Sequence, residues 1–344
     1  MENQTFYCLS QPSTKYVRSI LELQNKRFWL SSHGWLVLSE KTQFHLWNPK
    51  SLESIYLSPL DLQPRQHVEG ILLTSSPANP GSFLLLFLAN PQSIAFCYIK
   101  DQRWTIRSCS KEEINIISGT DDGWRHFCLP IVCNGRIYAT ACCRRRLAEI
   151  EIFKQRLVIR SLHCQLPLFQ SVCDHVKMYL VESDGDLFAI NFEIHSREAM
   201  NIDVFNLDFP TRKWNRVGSC PDRAFFLSND EAISCRIMIT DIERMGNRVY
   251  FTRYQGTSLY SYHIEDKTIS MSSPCPDLST SWSTPIWVLP DPEGTEYHHH
   301  PGGDQKENGK KDIQVGANGH CETQEKLEEA NRTNLNGRIR KWIR

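Results

Sequence analysis

Two short apolar runs, Met178–Val181 and Leu187–Ile190, flank the polar segment Glu182–Asp186 in the stretch MYLVESDGDLFAI. Each run has the length and the aromatic and aliphatic composition of a β-strand. The Asp-Gly pair between them is a strong signal for a tight turn, because both residue types tolerate a positive φ. The stretch therefore predicts a β-hairpin.

The same arrangement of strands and turns recurs along the chain. A glycine or Asn-Gly opens the first strand at Gly34, Gly135 and 246–247, and a polar turn ends the second strand, as at Glu265–Lys267. A further short strand then follows. The unit repeats every ~40–50 residues, which is the blade length of propeller repeats. Since one small sheet cannot bury both faces, several must pack around an axis. The sequence therefore predicts an all-β propeller.

Composition divides the chain into three parts. Residues 16–292 carry the repeat, and at that period they give about six blades. Five or seven blades stay open, and an ordinary β-sandwich pair is the alternative fold. Residues 293–344 contain few large apolar residues, so we expect a disordered tail. Residues 1–15 are interpreted as an N-terminal extension.

Charge and hydropathy exclude some classes of function. Lysine plus arginine and aspartate plus glutamate both number 39, so the formal net charge is zero. This balance argues against a nucleic-acid partner. No apolar run approaches the ~20 residues of a membrane span. The N-terminus does not resemble a secretory signal. We expect a cytoplasmic or nuclear protein, with an organelle left open.

Motifs for catalysis are absent from the sequence. There is no Gly-x-Ser-x-Gly elbow, no Walker loop and no dinucleotide-binding fingerprint after a strand. We therefore assign no catalytic and no cofactor-binding residue and expect a protein that is not an enzyme. A catalytic pair contributed by two blades near the axis would leave no local motif, so that alternative stays open.

The thirteen cysteines are odd in number and scattered, and many lie in apolar runs. Buried free thiols are the expected state. Zinc is the alternative, because closely spaced Cys and His pairs are its usual ligands. The candidates are Cys128, Cys133, Cys142, Cys143, His163, Cys164, Cys173 and His175. No complete second pair is present, so the sequence assigns no metal site. The run His298–His300 is expected to be solvent-exposed in the tail.

Three other features could take part in binding. Arg144–Arg146 could face an acidic partner, although a solvated hairpin turn is the favoured interpretation. The basic and apolar end Gly337–Arg344 could bind a partner or a membrane. Tryptophans recur at equivalent points of the repeat, and we expect them to pack between blades: Trp35, Trp47, Trp104, Trp214 and Trp287. Partner-binding residues stay unknown.

Three ordered blocks resemble one family. The first contains Ser31–Leu38, Leu46–Pro49 and Ile55–Leu60. The second contains Val204–Asp208, Trp214, Asp222–Leu227 and Ser234, and the third contains Gly246–Thr252, Ser281–Trp282 and Pro285–Val288. Together they resemble the plant F-box-associated propeller proteins of the KIB type, whose domain has no established function. The resemblance implies a propeller that selects a protein for ubiquitination. In the family an F-box usually precedes the propeller and docks on a Skp adaptor.

The start of the family-like region leaves only residues 1–15 before it. We therefore expect no F-box, which argues against a Skp adaptor as partner. The favoured hypothesis is a protein-interaction module with a protein partner of unknown identity, either a substrate-recognition relative or a decoy. The alternative is an enzyme or small-ligand binder at the central channel. A product with no independent role is a third hypothesis.

Overall fold

The computed structural model describes most of the chain. It covers residues 4–9, 11–118, 127–141, 146–153, 156–167, 176–195, 199–228, 232–236, 245–252, 258–273, 286–288 and 340–343. Strands dominate these residues, as the sequence predicts. One α-helix, α1 (Lys111–Ser118), and one 3-10 turn, Leu21–Leu23, complete the regular elements of the described part.

The strands follow one another with short connections. In chain order they are β1 (Gln4–Cys8), β2 (Gln11–Arg18), β3 (Arg27–Ser32), β4 (Trp35–Glu40), β5 (Gln43–Trp47), β6 (Ser54–Tyr56), β7 (His67–Leu73), β8 (Phe83–Ala89), β9 (Ser93–Tyr98), β10 (Trp104–Ser108), β11 (Phe127–Cys133), β12 (Arg136–Ala141), β13 (Arg146–Phe153), β14 (Arg156–Gln165), β15 (Val176–Ser183), β16 (Asp186–His195), β17 (Ala199–Asp208), β18 (Lys213–Arg216), β19 (Arg223–Leu227), β20 (Ala232–Arg236), β21 (Arg248–Thr252), β22 (Leu259–His263), β23 (Ile269–Ser272), β24 (Ile286–Val288) and β25 (Arg340–Ile343).

Five sheets are each built from consecutive strands and form the blades. The first blade is β3–β6, the second β7–β10, the third β11–β14, the fourth β15–β18 and the fifth β19–β23. The first four are antiparallel meanders. The fifth has the order β20-β19-β21-β22-β23, in which β19 and β21 run parallel. The remaining strands form a composite sheet of order β2-β1-β25-β24, drawn from both ends of the chain.

The all-β propeller is confirmed, but the number of blades is corrected. The sequence predicted about six within residues 16–292, whereas five blades are contiguous in the chain. The estimate assumed a uniform period. The blades in fact differ in length, from Arg27–Tyr56 to Arg223–Ser272, and connections such as the α1 segment lie outside them. The predicted disordered tail lies outside the described residues, apart from Arg340–Ile343.

Tight hairpins join the first and second strands of three blades. The two central residues have positive φ in each: 51° and 75° at His33-Gly34, 50° and 72° at Asn134-Gly135, and 51° and 81° at Asp184-Gly185. Positive φ at both positions is the mark of a type I′ turn, whose twist matches that of the flanking strands. The hairpin predicted from Asp184-Gly185 is thus confirmed.

A second recurring turn precedes the outer strand of a blade. Its last residues adopt the left-handed conformation without being glycine, at Leu52, Gln102, Arg212 and Lys267. In three of these turns the amide of the left-handed residue donates to the carbonyl four residues earlier, as from Lys267 to His263 (2.9 Å). The shared geometry explains why a polar turn recurs at the same point of the sequence repeat.

Both faces of a blade are buried, because each blade lies between two neighbours. In β5, for example, Phe44 and Leu46 face the second blade, and Trp47 faces the other way. Apolar side chains fill the seams between blades one and two, two and three, three and four, and four and five. Because side chains on both faces of these strands are buried, the strands are nearly continuous apolar runs and do not alternate between apolar and polar residues.

The innermost strands, around the axis, are the first strands of the first four blades and β20 of the fifth. Contacts join β3 to β7, β7 to β11, β11 to β15, and β15 to β20, and β24 contacts β3. Between β7 and β11, a Cβ added to Gly70 would lie 3.4 Å from the ring of Pro130. The composite sheet therefore lies between the fifth and first blades and completes the ring.

The helix α1 lies on the third blade and contacts β12, β13 and β14. A capping box starts it: the Glu113 amide donates to the Ser110 hydroxyl (3.2 Å), and the Ser110 amide donates to the Glu113 carboxylate (2.9 Å). Glu113 also pairs with Arg107 at 2.7 Å. Among the described residues, no helix has the length and apolarity to cross a membrane.

Candidate functional site

The five tryptophans singled out in the sequence lie where blades meet. Trp35 and Trp104 belong to the core between the first two blades, and Trp214 packs between the third and fourth. Trp287 is fully buried, and its indole N–H donates to the Leu227 carbonyl of the fifth blade (3.0 Å). Trp47 packs with Val288 of the composite sheet. The prediction that these tryptophans pack between neighbouring sheets of the ring is confirmed.

Of the five thiols described, Cys109 is half-buried and the other four are buried, and all are poor nucleophiles. Burial raises the pKa of Cys97, Cys109 and Cys133 to about 12 each. Burial also raises the pKa of Cys164 and Cys220. All five are free. A thiol with a raised pKa carries almost no thiolate near neutrality, which is the form that attacks electrophiles and binds metals. These cysteines are structural, as expected from the sequence.

Two of the thiols contribute hydrogen bonds to the seam between the third and fourth blades. The Cys133 thiol donates to the Gly185 carbonyl (3.2 Å), which also accepts from the Asn134 amide group (2.7 Å). The Cys164 thiol donates to the Arg212 carbonyl (3.3 Å). Both acceptors are turn residues of the fourth blade. Cys133 and Cys164, both zinc candidates in the sequence, therefore donate hydrogen bonds to two different turns and do not converge on one point.

No group of three or more metal-ligating side chains occurs within the described part of the chain. His163 is exposed, with a φ of 51°. The side chain of Cys128 and residues Cys142, Cys143, Cys173 and His175 lie outside the description. So do Arg144, Arg145 and His298–His300. Arg146 begins β13, and of the end Gly337–Arg344 the residues Arg340–Ile343 form β25.

The inner strand β7 carries one acidic group with unusual surroundings. Glu69 occupies a bulge between Val68 and Gly70, which turns its side chain out of the regular alternation. One carboxylate oxygen lies 3.4 Å from Nε2 of His67. The other is buried and has no hydrogen-bond partner in the described part of the protein. This is the strongest candidate for ligand chemistry near the axis.

A buried histidine lies on the face of the first blade that is directed toward the composite sheet. His45 is 1% exposed, and neither ring nitrogen has a hydrogen-bond partner among the described residues. Its ring stacks on Tyr56, with centroids 5.1 Å apart. Burial lowers the pKa of His45 to about 4, and the positive charge of Lys26 acts in the same direction. The residue is therefore neutral near pH 7.

One surface of the ring is formed by turns, and we call it the turn face. In an antiparallel meander the first-to-second and third-to-fourth turns lie at the same end. The hydrogen bond from Asn134 to Gly185 shows that neighbouring blades share that end. The described turns of this face are residues 33–34, 48–53, 74–82, 99–103, 134–135, 184–185, 209–212 and 263–268.

Exposed side chains of both charges line the turn face. Lys100, Asp101 and Arg103 belong to the second blade, and Glu265 and Asp266 to the fifth. Leu52, which is 69% exposed, is the most exposed large apolar side chain of these turns. A surface of mixed charges with few apolar groups lacks the apolar lining of a small-ligand pocket, and its composition matches the polar rim of a protein interface.

Sequence reasoning missed three features. Glu69 and His45 look like ordinary strand residues, and only a bulge or the burial of both blade faces distinguishes them. The strand β25 lies in a segment whose composition predicted disorder. Its alternation of basic and apolar residues from Arg340 to Ile343 was a weak signal of an extended segment.

The fold and the filled seams define a β-propeller with no described metal or reactive-thiol site. The family description "KIB1-4 beta-propeller" matches residues 3–275. The chain belongs to this family, as its three sequence blocks indicated. No curated protein matches the chain.

Two solved structures are similar to the chain at low identity. One is the extracellular domain of a one component system from B. thetaiotaomicron, with 12% identity and a TM-score of 0.39 over 78% of this chain and 32% of that one. The other is Kuenenia stuttgartiensis hydrazine synthase, with 13% identity and a TM-score of 0.34 over 74% of this chain and 79% of that one. The chain thus spans about a third of the first protein.

Proposed function

We propose that the chain is a non-catalytic protein-interaction module that binds a protein partner through its turn face. The observation that carries this proposal is the filling of four seams by apolar side chains, which leaves turns and strand edges as the exposed chemistry. A scaffold of this kind holds surface loops in place while their sequence varies. Within this role, we propose a place in the ubiquitin pathway as a substrate-recognition relative or as a decoy.

The first experiment is affinity purification of the tagged full chain from plant cells, with mass spectrometry of what co-purifies. Recovery of Skp adaptor and cullin supports the substrate-recognition role and contradicts the sequence-based expectation that no Skp adaptor binds. Recovery of a stoichiometric partner without those subunits supports the decoy. Soluble, folded protein with no partner contradicts the interaction module.

A pair of variants then tests the turn face against the partner recovered. Lys100→Glu combined with Arg103→Glu reverses two exposed charges on this face. Arg65→Glu reverses an exposed charge on the connection from β6 to β7, at the other end of the blades. We expect the double variant to bind at least ~10-fold more weakly, because rim charges govern encounter and register. Weaker partner binding by Arg65→Glu, with binding by the double variant unchanged, contradicts the assignment of the partner to the turn face.

A second function is favoured by Glu69 alone: binding of a small ligand at the inner strands. The buried, unpartnered carboxylate oxygen is the kind of group that a ligand donor satisfies. Thermal shifts of the wild type and of Glu69→Gln with a panel of small polar cations and amines test this function. A ligand that stabilises the wild type and not the variant supports it, and no shift with any of them contradicts it.

A further inference from the structure

The composite sheet differs from the blades in how its strands are connected. Short turns join consecutive strands in the blades, whereas residues 289–339 separate β25 from β24. Closing a longer loop is less favourable, and ordinary chain statistics make this closure roughly 50-fold less favourable than a four-residue turn. The position of β25 in the sheet therefore depends on its pairing with the neighbouring strands and not on a short connection to β24.

β25 is the link between the two ends of the ring. It pairs antiparallel with β1 on one side and antiparallel with β24 on the other. In register, Lys341 stands opposite Tyr7 and Trp287, and Trp342 opposite Phe6 and Ile286. In the described sheet, β1 and β24 have no direct pairing with each other. If β25 left, a gap one strand wide would separate them.

The wall of this gap on the β24 side is held by neighbouring blades. Trp287 donates to the Leu227 carbonyl (3.0 Å) and its ring lies 5.0 Å from that of Phe226. Val288 packs with Leu36 and Trp47 of the first blade. The other wall, β1, is paired with β2 along its whole length. Neither set of contacts involves β25, and we expect both walls to keep their strand structure when β25 leaves.

We infer that the gap between β1 and β24 is a strand-binding slot. Arg340–Ile343 occupy it in this structure, and an extended peptide with a similar pattern of basic and apolar residues can displace them and bind in their place. The slot offers backbone donors and acceptors on both sides, which is the basis of recognition by strand addition. The strand it accepts is four residues long and carries basic residues followed by an aromatic and an aliphatic one. A short strand with a long connection has a low free energy of local opening. This slot is separate from the turn face, and the inference does not depend on the proposed function.

The test uses the full chain and a fluorescent peptide with the sequence of residues 337–344. Trp342→Pro in the chain removes one backbone donor and disfavours pairing of β25. Trp342→Phe is the matched control that keeps the strand. We expect the peptide to bind Trp342→Pro at least ~10-fold more tightly than it binds the wild type or Trp342→Phe, as measured by fluorescence anisotropy. Equal binding to all three overturns the inference.

A second measurement remains decisive if Trp342→Pro does not fold. Cys8 stands opposite Arg340 in register, so Arg340→Cys places two cysteines across the β1–β25 pair. We expect a disulfide on mild oxidation, and peptide binding at least ~10-fold weaker in the oxidised than in the reduced form. Oxidised wild type is the control. Failure to form the cross-link, or peptide binding that oxidation does not change, overturns the inference.

Discussion

Two seams on opposite sides of the first blade are filled in different ways. The seam toward the second blade contains a large apolar cluster, with Trp104 donating from its indole to the Ser58 carbonyl (2.7 Å). The seam toward the composite sheet, which we call the closure seam, contains Leu23, Leu36, Leu38, Trp47 and Val288. It also contains His45, whose nitrogens lack partners among the described residues.

The difference follows from how the chain builds the two neighbours. The second blade is a meander of consecutive strands, and its sequence supplies matching apolar residues on one face. The composite sheet is assembled from strands that are far apart in sequence, and such non-local pairing carries a larger entropy cost. A buried polar group without a partner adds a further cost. We therefore expect the ring to open first at the closure seam.

The largest effect that separates the two seams should come from deleting buried leucine side chains. Leu84 of the second blade and Leu36 of the first are both 0% exposed, and they lie in different seams. We expect Leu84→Ala to lower the free energy of unfolding by about 4 kcal/mol and Leu36→Ala by about 2.5 kcal/mol, because the closure seam can relax into the cavity. Chemical denaturation of both variants measures this, and equal losses would remove the distinction between the seams.

Acid should weaken the closure seam through His45. The pKa of this buried histidine is lowered to about 4 in the folded protein, mainly by burial. As the pH falls, the unfolded state therefore binds the proton before the folded state does. The contribution of His45 to the free energy of unfolding is fully present above pH ~6.5 and is lost progressively as the pH falls toward ~4. At pH 5 we expect a loss of about 2 kcal/mol relative to pH 7 from this group.

The variant His45→Phe keeps a ring opposite Tyr56 and cannot be protonated. We expect its free energy of unfolding to fall less than that of the wild type between pH 7 and pH 5. Denaturant titrations at both values measure the difference between the two proteins, which cancels the contribution of other titrating groups. Identical pH dependence in the two proteins would show that the pKa of His45 is the same in the folded and the unfolded state.

The same two seams show what the sequence could and could not predict. Local signals were sufficient for the hairpins, because a residue pair such as Asp184-Gly185 determines its own turn. The tryptophan positions followed from the repeat. In contrast, β25 pairs with strands at both ends of the chain, and no local pattern reports such a partner.

The candidate sites were less predictable than the fold. His45 is buried because the blade is covered on both faces, which a single strand does not reveal. Glu69 depends on a bulge that shifts the alternation by one residue. The blade count was wrong because the repeat was read as uniform. The metal and partner candidates in the cysteine and arginine runs fell mostly outside the described residues.

A smaller effect should come from the hydrogen bond that fastens the first two blades. Trp104→Phe removes the indole donor and leaves the Ser58 carbonyl without it. We expect a loss of about 1 kcal/mol in the free energy of unfolding, which is typical of one neutral hydrogen bond. Urea denaturation at pH 7 measures it. A change within error would mean that water replaces the donor and that apolar packing alone holds this seam.

The smallest effect should come from the turn before β6, which supports both seams because β5 contributes side chains to each. Leu52 adopts a φ of 61° in this turn and is 69% exposed, so its side chain gains little from packing there. A left-handed conformation costs a residue with a Cβ about 1–2 kcal/mol. Glycine avoids this cost but loses about 0.5–1 kcal/mol through the greater freedom of the unfolded chain. We therefore expect Leu52→Gly to raise the free energy of unfolding by about 0.5 kcal/mol, and Leu52→Ala, which keeps the Cβ, to change it little. Because the turn supports both faces of the first blade, this increase in the free energy of unfolding should be the same in the Leu84→Ala and Leu36→Ala backgrounds. An increase confined to one background would show that the two seams do not share this turn.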